Sequence, residues 1–409
     1  MYLTGLTHRD ELFGITLRWL NDELHEDDGR RLTEIFLYES VVTAPCVLDR
    51  MLRFFQRFTG AGLSLEGVRY KHVLRERLIQ CSRDGTERTA QLARAYLSNP
   101  EFFFPRMPVD AVLLFAPGQR LVSINRIKRM PRVAEKAGFR MADALAERIR
   151  SEAKRLAGRR ASARGLSLEH MVSTQPEMTQ DFFLAEQAVA AGFRNHKIEL
   201  APTDATINDI IGFKIIGDEA ELERAERELG EEPGVTIIER KKHEGRYNAV
   251  NLRVDIELPP VGQIVDDNRN MDWSVARHRG LDPEEARRGF APFVEAGARS
   301  VRTEVIFTTY PELLESELGR SLHESRIIQL RERQSYSGPI ADNARYLIEY
   351  LLAVAYAPTV HVPELPIKMW GRYLPETLLA AVRNLYGLEP TGILLRTLGI
   401  SSGFTRPSD

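Results

Sequence analysis

The sequence predicts an α+β fold: a mixed β-sheet flanked by helices, with helical regions at both ends of the chain. Apolar residues recur every three or four positions from residue 9 to about 100, strand-like runs separated by turns fill the middle, and helical spacing returns over 340–357 and 375–386. For 409 residues two or three structural units are expected. The patterns divide the chain into a helical region at 1–105, a sheet-bearing domain at 106–335 with insertions near 140–206 and 259–300, and a helical region at 336–409.

The first region carries two core faces, one from Phe13, Leu17, Leu20 and Leu24, the other, after Pro45, from Val47, Leu48, Met51, Leu52 and Phe55. His25, Glu26, Asp27 and Asp28 form its one metal-like cluster; lacking spaced partners, they read as a solvated turn at a helix end. Two strands are expected at 109–116 and 120–128, joined by a Pro117-Gly118 turn. Strand side chains alternate, so Arg126 and Lys128 point to one side. Lys136 stands near the start of a helix followed through Met141, Leu145, Ile149, Ala153 and Leu156.

That helix ends in Lys154, Arg155, Arg159, Arg160 and Arg164, with no acid between Glu152 and Glu169. Such a run complements the helix dipole or contacts phosphate or RNA. Residues 165–205 show no clear period and read as an insertion, partly loop. Residues 208–216 then form a buried strand that begins at Asp209, an acid placed either to cap the strand end or to hold a divalent cation. Asp218 and Glu221 open a helix in the manner of a capping box.

A short strand at 235–239 precedes a turn at 241–245. From 247 to 258, Val250, Leu252, Val254, Ile256 and Leu258 face one way, and Tyr247, Asn251, Arg253, Asp255 and Glu257 the other. A long crossover at 259–300 leads to a strand at 301–308 with Arg302 and Glu304 on one face and Thr303, Val305 and Phe307 on the other. A long helix at 311–333, bearing His323, follows.

Composition excludes several classes of function. The chain is 43% hydrophobic and 28% charged, and its 56 bases nearly balance 58 acids, so any attraction to nucleic acid or membrane has to be local. Cys46 and Cys81 form no disulfide framework and suit a reducing cytosol. The opening MYLTGLTHRDELF meets charge too soon for a secretory signal, and the longest apolar stretch, 347–357, contains Glu349 and is too short to span a bilayer. A cytoplasmic protein without membrane contact is expected.

There is no Walker loop, dinucleotide glycine pattern, nucleophile elbow or zinc spacing. Two acids on neighbouring strands beside a basic cluster point to phosphoryl or nucleotidyl transfer, whose transition state spreads negative charge over oxygens. The residues resemble the synthetase domain of the RelA/SpoT family, which makes guanosine tetra- and pentaphosphate alarmones. Arg126, Lys128 and Lys136 match its Arg-x-Lys motif and the later lysine, with Arg132 in place of a serine. Asp209 to Phe213 match its Asp-hydrophobic-hydrophobic-Gly-hydrophobic-Arg strand, with Lys214 for arginine, Tyr247 resembles its stacking tyrosine, and Glu304-Val305 its second acid. The family's serine and histidine after that tyrosine are here Ala249 and Asn251, and no His-Asp dipeptide of its hydrolase domain occurs.

The resemblance implies a nucleotidyltransferase-like core and an ATP-dependent pyrophosphokinase. Asp209 and Glu304 would be catalytic and hold magnesium, Arg126, Lys128, Arg132 and Lys136 would bind ATP, and Tyr247, Asn251 and Lys214 would bind a guanine nucleotide. Alternatives are another acceptor, such as a different nucleotide or a tRNA end, or a non-catalytic nucleotide-binding regulator.

Overall fold

A computed structural model of the protein describes residues 1–60, 62–81, 86–245, 248–332 and 338–388. A short strand, β1 (Tyr2–Leu3), leads into α1 (Arg9–Leu20) and α2 (Asp28–Thr59). The helix α2 runs unbroken past Pro45 and stops at Gly60, whose φ of 63° continues no right-handed helix. Within the expected solvated turn only His25, Glu26 and Asp27 are exposed. Asp28 is buried and accepts hydrogen bonds from Trp19 Nε1 at 2.8 Å and His25 N at 3.0 Å.

Next come β2 (Ser64–Tyr70), α3 (Lys71–Gln80) and α4 (Glu87–Ser98). The first region is therefore not wholly helical. β2 is an edge strand in which only Val68 is buried, so it lacks the alternation that reveals a half-buried strand. β3 (Pro108–Ala116) and β4 (Arg120–Ile127) form the expected hairpin, and α5 (Met130–Ala163) follows.

The stretch expected to be partly loop contains a 20-residue helix, α6 (Gln175–Arg194), opened by a capping box of Thr174 and Glu177. Its buried stripe is Asp181, Ala185, Val189 and Phe193, whereas Met178, Phe182, Phe183 and Leu184 are exposed. Hydrophobicity alone thus misreports its inner face. Beyond it lie β5 (Thr206–Ile207), β6 (Ile211–Ile216), α7 (Glu219–Gly230), β7 (Val235–His243) and β8 (Ala249–Glu257). β7 is longer than expected and runs into the residues read as a turn. The crossover holds α8 (Val261–Asp267) and α9 (Pro283–Ala296), followed by β9 (Ser300–Thr308). The expected long helix is two, α10 (Tyr310–Leu318) and α11 (His323–Glu332), before α12 (Pro339–Tyr356) and α13 (Pro375–Leu385).

The seven-stranded sheet runs β2-β3-β4-β6-β9-β8-β7, with β6 at its centre. β6 and β9 are parallel and the other neighbours antiparallel, so the sheet is mixed. One face packs Ile211, Phe213, Ile215, Leu252, Val254, Val305 and Phe307 into the main core with α2, α5 and α12. On the other, Leu113, Phe115 and Ile124 meet α3, α4 and α10 in a smaller core. No described helix is long and apolar enough to cross a membrane.

Candidate active site

The site follows from the strand alternation. Arg126, Gly212, Glu304 and Arg253 stand side by side on β4, β6, β9 and β8, and Ile124, Lys214, Ile306 and Asn251 form the next row. Phe213, Val305 and Leu252 occupy the intervening row and face the main core, so the charged residues share the opposite face.

Asp209 lies just before β6, at the end of the sheet where β4 finishes. Lys128 Nζ sits 2.6 Å from its Oδ2 and donates to its main-chain carbonyl at 2.8 Å. Lys136 Nζ, from the second turn of α5, donates to the same Oδ2 at 2.6 Å. Burial pushes the Asp209 carboxyl up, but the two ammonium groups outweigh it and bring it down to about 2. Burial also works on Lys128, and there the attraction of Asp209 does not restore the ordinary value, so Lys128 stays lowered. Asp209 Oδ1 is buried without a hydrogen-bond partner.

Glu304 is shifted the other way. Burial raises its carboxyl and the negative charge of Asp209 raises it further, against Lys128, Lys136 and Arg253. The two acids thus feel each other's charge. Asn251 Nδ2 donates to Glu304 Oε1 at 3.3 Å, leaving Asn251 Oδ1 buried and unpartnered.

Arg126 and Lys214 turn to a different partner. Arg126 Nη2 donates to Glu317 Oε1 at 2.7 Å, and Lys214 Nζ is 3.7 Å from the same oxygen. Glu317 is 0% exposed and also accepts from Lys71 Nζ at 2.8 Å, while Lys71 and Arg75 share Glu324 at 3.0 and 2.9 Å. Burial and the neighbouring cations bring Lys214 down to about 7. His323, at the start of α11, is held well below its usual range by burial and by Lys71.

Arg132 does not join Asp209: its Nη1 pairs with Glu135 at 2.5 Å, and Glu135 also binds Arg331. Tyr247 lies outside the described residues. Of the basic stretch at 154–164, Arg160 is bidentate to Asp181 at 2.9 and 2.6 Å and Arg164 meets Glu177 at 2.6 Å, knitting α5 to α6, while Lys154 and Arg159 are exposed. Sequence reasoning missed Glu317, Lys71 and Arg75. Nothing local marks them, because their partners lie on remote elements.

No group of three or more His, Cys, Asp or Glu among the described residues forms a metal cage. The donor set does fit magnesium, which binds through one or two carboxylates together with substrate phosphates. The unpartnered Asp209 Oδ1 and the neighbouring Glu304 are the oxygens available for it.

No family model and no curated protein matches the chain. Among solved structures it is similar to the small alarmone synthetase 1 from Bacillus subtilis bound to its product pppGpp, at 12% identity over 41% of this chain and 67% of that one. The TM-score of 0.19 is too low for that likeness to carry weight.

Proposed function

We propose that the chain is an ATP-dependent pyrophosphokinase that transfers pyrophosphate to the 3′-hydroxyl of a guanine nucleotide. One observation carries the reading: two carboxylates beside two lysines, Asp209 lowered to about 2 and Glu304 raised. Neighbouring acids whose environments drive their proton affinities apart divide into a permanent anion and a proton acceptor. Asp209 is the anion, and Glu304 takes the proton of the attacking hydroxyl. Lys128 and Lys136, both paired with Asp209, exchange that carboxylate for phosphate oxygens of ATP. Arg126 binds the same phosphates with the part of its guanidinium that Glu317 leaves free. Magnesium on Asp209 and Glu304 would neutralise charge on the transferring group.

The choice of a guanine acceptor and of pyrophosphate rests on the sequence resemblance. Asn251 favours a second reading, transfer to another ribose 3′-hydroxyl, since its amide donates to Glu304 and so is not directed at an acceptor. Incubating the full chain with labelled ATP, magnesium and a panel of GDP, GTP, adenine nucleotides and tRNA separates the two. Labelled guanine nucleotide supports the first reading, and label in another acceptor supports the second. No transfer to any acceptor overturns both.

A further inference from the structure

The inner side of α6 packs against α5 through Asp181, Ala185, Val189 and Phe193, and Arg160 and Arg164 of α5 take up Asp181 and Glu177. Phe183, Gln187 and Ala191 each follow an inner residue by two positions, just over half a turn, and so form the opposite side, flanked by Gln180 and Leu184. All five are exposed, Phe183 by 46% and Leu184 by 40%. None of the exposed residues from Gln175 to Ala191 is charged, in a chain of which 28% is charged. Solvated helix faces ordinarily carry the charge, so this one is built for cover.

The spacing of 180, 183, 184, 187 and 191 is that of a face that packs on another helix. Two properties select a second copy of the chain to cover it. A two-fold contact lays a patch on itself, so a charge near the axis meets its like, and this stripe has none. The exposed charge of α6, Arg194, lies at the C-terminal end, where an antiparallel copy brings its own N-terminal end, preceded by the exposed Glu169.

The area is also sufficient. Phe182, Phe183 and Leu184 leave on the order of 250 Å² of apolar surface outside. A helix of this length laid along its copy makes about 30 Å of contact. With the neutral glutamines and alanines included, that reaches the roughly 600 Å² per partner of the smaller stable interfaces.

We infer that α6 is the contact surface of a two-fold dimer of this chain, in which two copies of α6 pack antiparallel with Phe183 and Leu184 at the seam and the two α5 helices behind them. α6 belongs to the stretch read as an insertion at 140–206 and not to the strands of the candidate site, so the inference is independent of the pyrophosphokinase reading.

The test is analytical ultracentrifugation of the full chain and of Phe183→Glu, Leu184→Glu and Phe102→Glu, the last a phenylalanine just beyond α4 that is 69% exposed, with circular dichroism of each. The wild type should sediment as a dimer at about 100 μM, the two α6 variants should raise its dissociation constant at least about tenfold, and Phe102→Glu should match the wild type. An equal mixture of Phe183→Glu and Phe183→Lys should associate more tightly than either alone, because opposite charges then face each other across the seam. Should a glutamate variant on α6 not fold, Gln187→Glu, on the same face, decides. A wild type that stays monomeric at that concentration, or a dimer indifferent to the α6 substitutions, overturns the inference. So does a dimer that Phe102→Glu weakens as much as Phe183→Glu, or a mixture that associates no better than its components.

Discussion

Lys136 Nζ lies 2.6 Å from Asp209 Oδ2, joining a helix to the mouth of the central strand across 73 positions of sequence. Asp209 is lowered from 3.8 to about 2, so its contribution to stability is present above 3.8 and is lost as pH falls through about 2. Lys136→Met should cost about 1 to 2 kcal/mol at neutral pH. Urea unfolding should show that cost shrinking between 3.8 and about 2, and a pH-independent cost would mean the ion pair is not its source.

Glu304 is predicted to set the acidic limb of the transfer rate. Its carboxyl is raised, so the rate should climb with pH as it ionises. Asn251→Leu removes the amide that donates to Glu304 Oε1 and should move that limb to higher pH. Glu304→Gln should abolish the limb together with transfer, leaving the fold intact. A limb that stays in place in both variants would assign the proton to another group.

Glu317 is the anion that Lys71, Arg126 and Lys214 share. Glu317→Gln leaves those cations buried without their carboxylate and should cost about 3 to 5 kcal/mol in urea unfolding. Adding Lys71→Met should recover part of that loss, because the two changes act on one contact. Strictly additive losses would argue that the cluster does not act as a unit.

Lys214→Met should have the opposite sign. Lys214 is lowered from 10.5 to about 7, so between those values the unfolded chain binds the proton that the folded chain refuses. Stability therefore rises with pH across that window, and the penalty is full below about 7. Removing the amine should raise the midpoint of thermal unfolding at neutral pH, with the gain vanishing as pH approaches 10.5. A loss of stability at neutral pH would show that Lys214 is satisfied by Glu317.

Much of the sheet was legible because its strands are buried on one face. Leu252, Val254 and Ile256 on β8, and Val301, Thr303 and Val305 on β9, alternate with polar residues and point into the core. The motif assigned Lys128, Lys136 and Asp209 to one site, but the pairing of both lysines with Asp209 is seen only in the fold, since spacing cannot bring a strand, a helix and a loop together. β2 was hidden because an edge strand with one buried residue has no period, and α6 because its inner face is small and partly polar. Arg126 matched a phosphate-binding pattern, yet its partner Glu317 lies 191 positions away and is seen only in the fold. Arg132 looked like part of the same cluster, but an acid one helical turn on, Glu135, takes it first.

The most direct test follows the fate of ATP labelled at its β-phosphorus, with magnesium and the acceptor panel. The account predicts AMP and labelled acceptor formed in equal amounts by the wild type, with neither formed by folded Asp209→Asn or Glu304→Gln. ADP as the by-product, or AMP and labelled acceptor formed undiminished by both variants, would contradict it.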